Sequence, residues 1–365
     1  MSSEKQAVIV TGAAGNLGVR LLSLLSDFQV YAVDVAAPRT SIPVEYRRID
    51  LADPTSGAQF VQLIRESGAT TVVHLAFIID PVRMGVLDVP LMWKINVGGT
   101  ERVIDAIAEA NRTGSKVARF IYPSSVSVYG PDTPANVTED YPMGAHTLAY
   151  AMHKQEAETL LEKKSAKLAA CSTYVLRPHI YAGASMQNYL IGALRGTPTG
   201  RGRLGKWMRD RNVRLPLVLP MGGQYLDKEF QFVHVDDVAR LIAYLLRRPD
   251  LQRERVVLNV PGKGPAVTLG EAARIAKAKV IRLPGRVWCR WTLQLMWKLG
   301  ISGVPPEALP YMIGSYTMDA RRLRAFLGDD YDRVMQFTVE QALEDSFCAP
   351  VLDNAPVALH AASPP

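Results

Sequence analysis

Tyr150 and Lys154 stand four residues apart near the start of a stretch with helical periodicity, so both side chains lie on one face. A tyrosine is a poor base at its free pKa of about 10; an ammonium beside it stabilises the phenolate and brings proton transfer toward neutrality. Upstream, the run YPSSVSVYG at 122–130 leaves the end of a predicted strand and offers the hydroxyls of Ser124 and Ser125 where a substrate oxygen would lie. Two helix-surface residues would give the same Tyr–Lys spacing, and a serine after a strand also serves as an end cap. One of the two serines is expected to do only that. What favours chemistry is the order of the chain, because a third unit precedes both.

That unit is 7–34, AVIVTGAAGNLGVRLLSLLSDFQVYAVD. A short β-branched run at 7–11 gives way to Gly12, Gly15 and Gly18 in the spacing GxxGxxG, and then to Leu17, Leu21, Leu22 and Leu25 at helical period. A glycine trio alone marks no more than a turn between strand and helix; the flanking strand, the helix and the terminal Asp34 make it a dinucleotide-binding unit. The glycines allow a tight turn, contact of Asn16 and Leu17 with a pyrophosphate, and close approach of helix to strand. The anion sits on the helix N-terminus, where free N–H groups and the dipole favour it. Asp34, closing the second strand, is placed to accept from the adenosine ribose hydroxyls and to repel a 2′-phosphate, which favours NAD; nearby Arg39 leaves NADP open.

The elements that must position these groups follow in alternation. Strands are predicted at 44–50, 70–75, 117–122 and 172–177, and helices at 54–67, 91–110 and 148–169. Such alternation predicts a parallel sheet covered on both faces, with ligands outside the carboxyl ends of its strands. Asp50, Leu75 to Phe77 and 123–127 therefore take priority. From 192 to 227 the chain is rich in Gly, Pro and Arg and loses periodicity, as an irregular excursion or lid would. Segments 230–233 and 255–260, with a helix through 236–247, read as returning to the sheet, and from 268 the remainder reads as mostly helical. Residues 349–365 read as a flexible tail.

With 365 residues and 48% hydrophobic composition, the chain can bury a large core. Cys171, Cys289 and Cys348 are isolated, which argues against disulfides or a metal site and fits a reducing compartment. Residues 1–6 are short and polar, so the cytoplasm is expected. A net charge of +7 admits nucleic acid, membrane surfaces or anionic substrates; no motif supports nucleic acid. Seven basic residues crowd 195–214 against Asp210 alone, as a solvated loop or as a surface for phosphate, a carrier protein or lipid headgroups. Trp288, Trp291, Leu295 and Leu299 share a helical face near Arg286, Arg290 and Lys298. That stripe is expected to pack as lobe core, with a greasy substrate wall or a membrane-interface helix as the functional alternatives.

Taken in order, TGAAGNLG (11–18), Asp50-Leu51, HLA (74–76), NVGGT (96–100), SSVSVYG (124–130), YAMHK (150–154), LRPHIYAG (176–183) and FVHVDDVA (232–239) resemble the extended short-chain dehydrogenase/reductase family, the NAD-dependent epimerase/dehydratase group, over about 7–347. The resemblance implies an α/β fold: a Rossmann-like doubly wound parallel sheet with a smaller, mostly helical C-terminal substrate lobe. Residues 1–178, with 229–260 returning, would form the dinucleotide-binding domain; 179–228 and 261–347 would form the lobe; and 348–365 the tail. It implies that Ser125 polarises the substrate oxygen, Tyr150 exchanges the proton, and Lys154 holds the nicotinamide ribose and lowers the Tyr150 pKa. Asp50 and Leu51 would flank the adenine, Leu75, Ala76 and Phe77 the middle of the cofactor, and Arg177-Pro178 would end a strand beneath the nicotinamide. Asn96 would support the site, while His74, His234, Asp236 and Asp237 read as structural.

Departures narrow the reaction. Val126 and Ser127 stand where the dehydratase branch carries Asp-Glu, so water loss is not expected. Phe230 stands where sugar-nucleotide members carry an Arg for the substrate diphosphate. Epimerisation, or oxidation and reduction of an apolar substrate as in the 3β-hydroxysteroid dehydrogenase branch, are both open, and so is a nucleotide sensor without chemistry. A small-molecule substrate and a homodimer are expected, with membrane-surface contact a further option.

Overall fold

The computed structural model describes residues 5–79, 88–184, 186, 188–249 and 254–348, together with the backbone of 82–83 and 86–87. Seven parallel strands form the central sheet: β1 (Ala7–Thr11), β2 (Gln29–Asp34), β3 (Glu45–Arg48), β4 (Thr71–His74), β5 (Arg119–Pro123), β6 (Ser172–Pro178) and β7 (Arg255–Val260). Their spatial order is β7-β6-β5-β4-β1-β2-β3, so the chain leaves β1 toward one edge and restarts at β4 toward the other. The reversal puts the carboxyl ends of β1 and β4 side by side, with Thr11 in register with His74. A crevice opens at such a point, and it is where ligands enter open α/β sheets.

Helices α1 (Asn16–Ser23), α2 (Ser56–Ser67), α3 (Val89–Arg112) and α4 (Ala149–Lys163) cover the sheet. β1 shows why both faces are greasy. Val8 and Val10 point into one core with Leu21, Leu22 and Leu25 of the α1 layer, whereas Ile9 points into the other with Phe60, Ile104 and Leu161 of α2, α3 and α4. Period-2 alternation between two buried faces leaves no polar side, so the strand reads as a continuous apolar run.

The rest of the chain adds α5 (Tyr189–Arg195), α6 (Arg203–Asp210), α7 (Val235–Arg247), α8 (Leu269–Ile275) and α9 (Gly285–Lys298). α7 packs on α1 beneath the sheet. Segment 255–260 joins the sheet on β6, but 230–233 does not: Glu229–Phe230 pairs antiparallel with Val267–Thr268, and Val233–His234 pairs with Tyr181–Ala182. The stretch expected to be irregular carries α5, α6 and the strand Leu217–Pro220. That strand pairs in parallel with Val280–Leu283, in a region expected to be helical. Each strand has only four residues, too short for periodicity to declare it, and its partner is some sixty residues away.

Cys348 ends the helix Val339–Cys348, and the tail expected at 349–365 lies outside the described residues. The aromatic stripe of α9 corrects the sequence reading. Its inner face, Cys289 and Leu293, is buried, whereas Trp288, Trp291 and Leu295 are 62%, 70% and 59% exposed. They are surface, not core.

Candidate active site

The cradle begins where β1 ends. Gly12 has φ +67°, and a Cβ there would lie 2.6 Å from the Ala76 amide nitrogen and 2.7 Å from the Leu75 carbonyl carbon. Backbone cannot yield to such contacts, so only glycine lets β1 turn this close to the chain leaving β4. A Cβ on Gly18 would meet the Gly12 carbonyl oxygen at 2.4 Å, so α1 too lies hard against the loop. Gly15 is the N-cap of α1 and supplies no side-chain cap, and a helix N-terminus is where an anion is favoured. Asn16 and Leu17 open that helix, and the Asn16 amide oxygen accepts from Arg20 Nε at 3.0 Å. The Asp34 carboxylate accepts from the Ala14 N–H at 2.9 Å and the Val35 N–H at 2.7 Å, which holds it against the glycine loop.

Along the same edge, the Asp50 carboxylate is exposed and accepts from the Ala52 N–H, while Leu51 is buried against Gly99 of α3. Leu75 and Ala76 are tied to β1 by bonds from their N–H groups to the Thr11 carbonyl (3.1 Å) and hydroxyl (3.2 Å). Asn96 exchanges both amide bonds with the Ile78 backbone, at 2.8 and 2.9 Å, and pins the segment after β4. His74 lies 2.8 Å from Thr11 Oγ1 and 3.0 Å from Thr100 Oγ1. Because the Thr100 hydroxyl already donates to the Asn96 carbonyl, His74 donates through Nε2 and accepts through Nδ1. Burial, reinforced by the Lys154 charge, lowers its pKa to about 3, so it stays neutral and structural.

Tyr150 and Lys154 lie on α4 as their spacing requires, Tyr150 half-buried and Lys154 buried. The Ser125 hydroxyl accepts from the Ser127 N–H at 3.2 Å and the Ser127 hydroxyl at 3.0 Å, and it lies close enough to the phenol to favour the phenolate. Ser125 is thus the end cap as well as the neighbour of Tyr150, while the buried Ser124 hydroxyl has no partner among the described residues. Lys154 Nζ donates to the Pro123 carbonyl at 2.7 Å and sits 3.7 Å from the Phe77 ring centre; Phe77 in turn meets the Tyr150 ring edge-on at 5.6 Å. Three sequence-distant segments, 75–77, 123–125 and 150–154, converge here.

The protonation states differ from a simple Tyr–Lys expectation. Burial pushes Tyr150 up to about 12, the Ser125 hydrogen bond pulling the other way, and burial lowers Lys154 to about 7 against the pull of Glu158. Lys154 Nζ lies 6.0 Å from the Tyr150 ring centre, and burial dominates the tyrosine's shift.

Glu158 was not singled out in the sequence, though it is four residues beyond Lys154 on the same helical face. Its fully buried carboxylate accepts from Arg177 Nη2 at 2.7 Å and Nε at 3.1 Å. Arg177 Nη1 donates to Tyr129 Oη at 2.7 Å, and Tyr129 donates to Asn259 Oδ1 at 2.7 Å. One buried network thereby joins α4, β6, β7 and the turn after β5. Pro178 ends β6, buried, and the next N–H, of His179, donates to β7. His234 caps α7 and lies 3.1 Å from Asp345; Asp236 and Asp237 follow it in the first turn.

Phe230 is fully buried and packs on Phe232 and Tyr316. An apolar pocket of about 600 Å³, open mouth included, lies in the lobe between α5, Leu217–Pro220 and α9, walled by Leu217, Leu219, Leu293, Met296 and Met312 and lined by no charged side chain. Among the described residues, no cluster of His, Cys, Asp or Glu could hold a metal ion, and no helix is long and apolar enough to cross a membrane.

A sequence profile of the NAD dependent epimerase/dehydratase family matches residues 8–260. An uncharacterised epimerase/dehydratase of Staphylococcus aureus (strain USA300) is 24% identical over 159 residues, 42% of this chain and 47% of that protein; the match spans about half the length of the curated relative. Among solved structures, MoeE5 in complex with UDP-glucuronic acid and NAD is similar with a TM-score of 0.64 at 23% identity, covering 93% of this chain and 97% of that one. The UDP-glucose 4-epimerase of Thermus thermophilus in complex with NAD gives 0.63 at 19% identity, covering 94% and 98%. At these identities the structures speak for the fold.

Proposed function

Because the chain belongs to the NAD-dependent epimerase/dehydratase family, we propose that it is an NAD-dependent oxidoreductase or epimerase working at a secondary alcohol or ketone carbon. The observation that carries this reading is the convergence of Ser125, Tyr150 and Lys154 at the mouth of a glycine cradle that admits no Cβ. The residues fit a dinucleotide: Gly12, Gly15, Asn16, Leu17 and Gly18 take the pyrophosphate, Asp34 the adenosine ribose, Asp50 and Leu51 the adenine, Leu75, Ala76 and Phe77 the middle of the cofactor, and Pro178 the nicotinamide. Lys154 supports that fit, since Pro123 is its one hydrogen-bond acceptor among the described residues and an ammonium has three donors. Two remain for ribose hydroxyls.

When bound, the nicotinamide supplies the hydride acceptor and donor. Ser125 orients the substrate oxygen by hydrogen bond. Tyr150, protonated in this state, delivers a proton to that oxygen in the reducing direction and recovers it in the oxidising one. Val126 and Ser127 supply no acid–base pair for dehydration, since valine has no ionisable group and the Ser127 hydroxyl donates to Ser125. Phe230, standing where sugar-nucleotide members carry an Arg for the substrate diphosphate, supports a substrate with an apolar portion. A sugar nucleotide is the second reading, supported by the ligands in the similar structures.

Exposed Trp93 on α3 and Met152 on α4 support a homodimer through these helices. The test is to purify the protein without added nucleotide, denature it and identify what is released. Stoichiometric NAD indicates a self-contained redox cycle and an epimerase; empty protein that binds NADH reversibly indicates a dehydrogenase or ketoreductase. With an active substrate in hand, Tyr150→Phe is expected to lower turnover by about 10²–10⁴-fold at unchanged nucleotide affinity. Unchanged turnover would remove Tyr150 from the chemistry.

A further inference from the structure

Two segments of the lobe carry a charge unlike the rest of the chain. Residues 192–226 and 272–306 hold 14 of the 42 basic residues and one of the 35 acidic ones, Asp210. The remainder, with 28 basic and 34 acidic residues, is net negative, so the positive charge of the protein belongs to one part of it. The fold brings the two segments together. The Gly200 and Gly202 N–H groups donate to the Ile301 and Gly300 carbonyls at 2.9 and 3.0 Å, and a Cβ on Gly205 would lie 2.4 Å from the Gly300 carbonyl oxygen. α6 is thus docked on the C-terminal end of α9 with no room for a side chain between them.

The outward faces of this pair are apolar and basic at once. On α9, Val287, Trp288, Trp291 and Leu295 are exposed, and Leu299 just beyond its end is too; α6 adds exposed Leu204 and Trp207. Around them stand exposed Arg203, Lys206, Arg282, Arg290 and Lys298, and Arg211 stacks on Trp207 at 4.4 Å. A soluble surface rarely groups three exposed tryptophans with four exposed aliphatic side chains. Water alone gives them no reason to be there. Tryptophan is suited to the headgroup region, with an apolar body and one polar N–H, and Lys and Arg beside it are attracted by anionic lipid. A second copy of the chain is the wrong occupant, because it would bring an equally positive face against this one.

We propose that the α6–α9 face docks the protein peripherally on an anionic lipid bilayer, with Trp207, Trp288 and Trp291 entering the headgroup layer and the surrounding Arg and Lys contacting lipid phosphates. The inner face of α9 supplies Leu293 and Met296 to the apolar pocket, so the surface that meets lipid and the pocket share one helix. The proposal does not depend on which substrate the catalytic groups act upon.

The test is co-sedimentation of the full chain with phosphatidylcholine vesicles, with and without about one-third phosphatidylserine, at low and high salt. Binding is expected to the anionic vesicles, weakened at least tenfold at 0.5 M salt, and to be negligible on neutral ones. The triple variant Trp207→Ser/Trp288→Ser/Trp291→Ser alters exposed positions only, so its melting temperature and nucleotide affinity should match the parent, and its vesicle affinity should fall at least tenfold. Arg203→Glu/Arg290→Glu should lose the salt-sensitive part. The proposal is overturned if neither vesicle is bound, if the tryptophan variant binds as the parent does, or if the same substitutions abolish self-association while leaving vesicle binding intact. Equal, tryptophan-independent binding to heparin and to vesicles would also overturn it, as the mark of a bare cationic patch.

Discussion

Glu158 offers the sharpest test of how the site is held. It is fully buried, and its carboxylate satisfies the Arg177 guanidinium, itself buried, through contacts at 2.7 to 3.2 Å. Replacing it by glutamine leaves one amide oxygen to accept but removes the counter-charge, so Arg177 stays charged and buried with the Tyr129 hydroxyl and the Glu139 carbonyl as its other acceptors. Removing one partner of a buried pair costs about 3–5 kcal/mol, because the remaining charge is uncompensated. Unfolding entropy of about 2.1 cal/mol/K per residue amounts to roughly 0.8 kcal/mol/K over this chain, so the expected fall in Tm is roughly 4–7 °C. Differential scanning calorimetry reads it directly. Glu158→Gln/Arg177→Met should be more stable than the sum of the single variants implies, since the double variant buries no orphan charge. Because Glu158 also raises the Lys154 pKa, Glu158→Gln should lower kcat more than it alters the KM for substrate. A drop in Tm below about 1 °C, or strictly additive single effects, would refute the network as a structural clamp.

Three further outcomes follow from the same geometry. Asp34→Ala should weaken NAD binding more than NADP binding in calorimetric titrations, since a carboxylate placed to accept from ribose would also repel a 2′-phosphate; equal losses would show that it does not face the ribose. Gly12→Ala places a Cβ 2.6 Å from the Ala76 nitrogen at a positive φ, and should reduce nucleotide affinity at least tenfold; unaltered affinity would remove this loop from the cradle. Lys154 is lowered from about 10.5 to about 7 in the folded protein, so between those values the unfolded chain holds a proton the folded one has released. Stability of the nucleotide-free protein should therefore gain a contribution as pH rises through that window, absent below about pH 7. Melting temperatures of Lys154→Met from pH 7 to 10 should lack that rise, and a profile parallel to the parent would contradict the assignment.

What could be read from the sequence is what local spacing encodes. The glycine trio, the Tyr150–Lys154 face of α4 and the alternation of strand and helix up to β6 each lie within a few turns of chain, where backbone sterics and periodicity decide the outcome without distant partners. The departures at Val126 and Phe230 are legible for the same reason, as side chains at positions the motifs number. Only the tertiary structure decided what depends on distant groups. Glu158 becomes a clamp because Arg177 and Asn259 arrive on β6 and β7, 19 and 101 residues away. The strand Leu217–Pro220 exists because Val280–Leu283 lies beside it. Tyr150 is raised rather than lowered because of burial, which no spacing reports. The tryptophans of α9 face outward because Cys289 and Leu293 took the inward side. A helix's period shows that it has two faces, but which of them meets the core is settled by what packs against it.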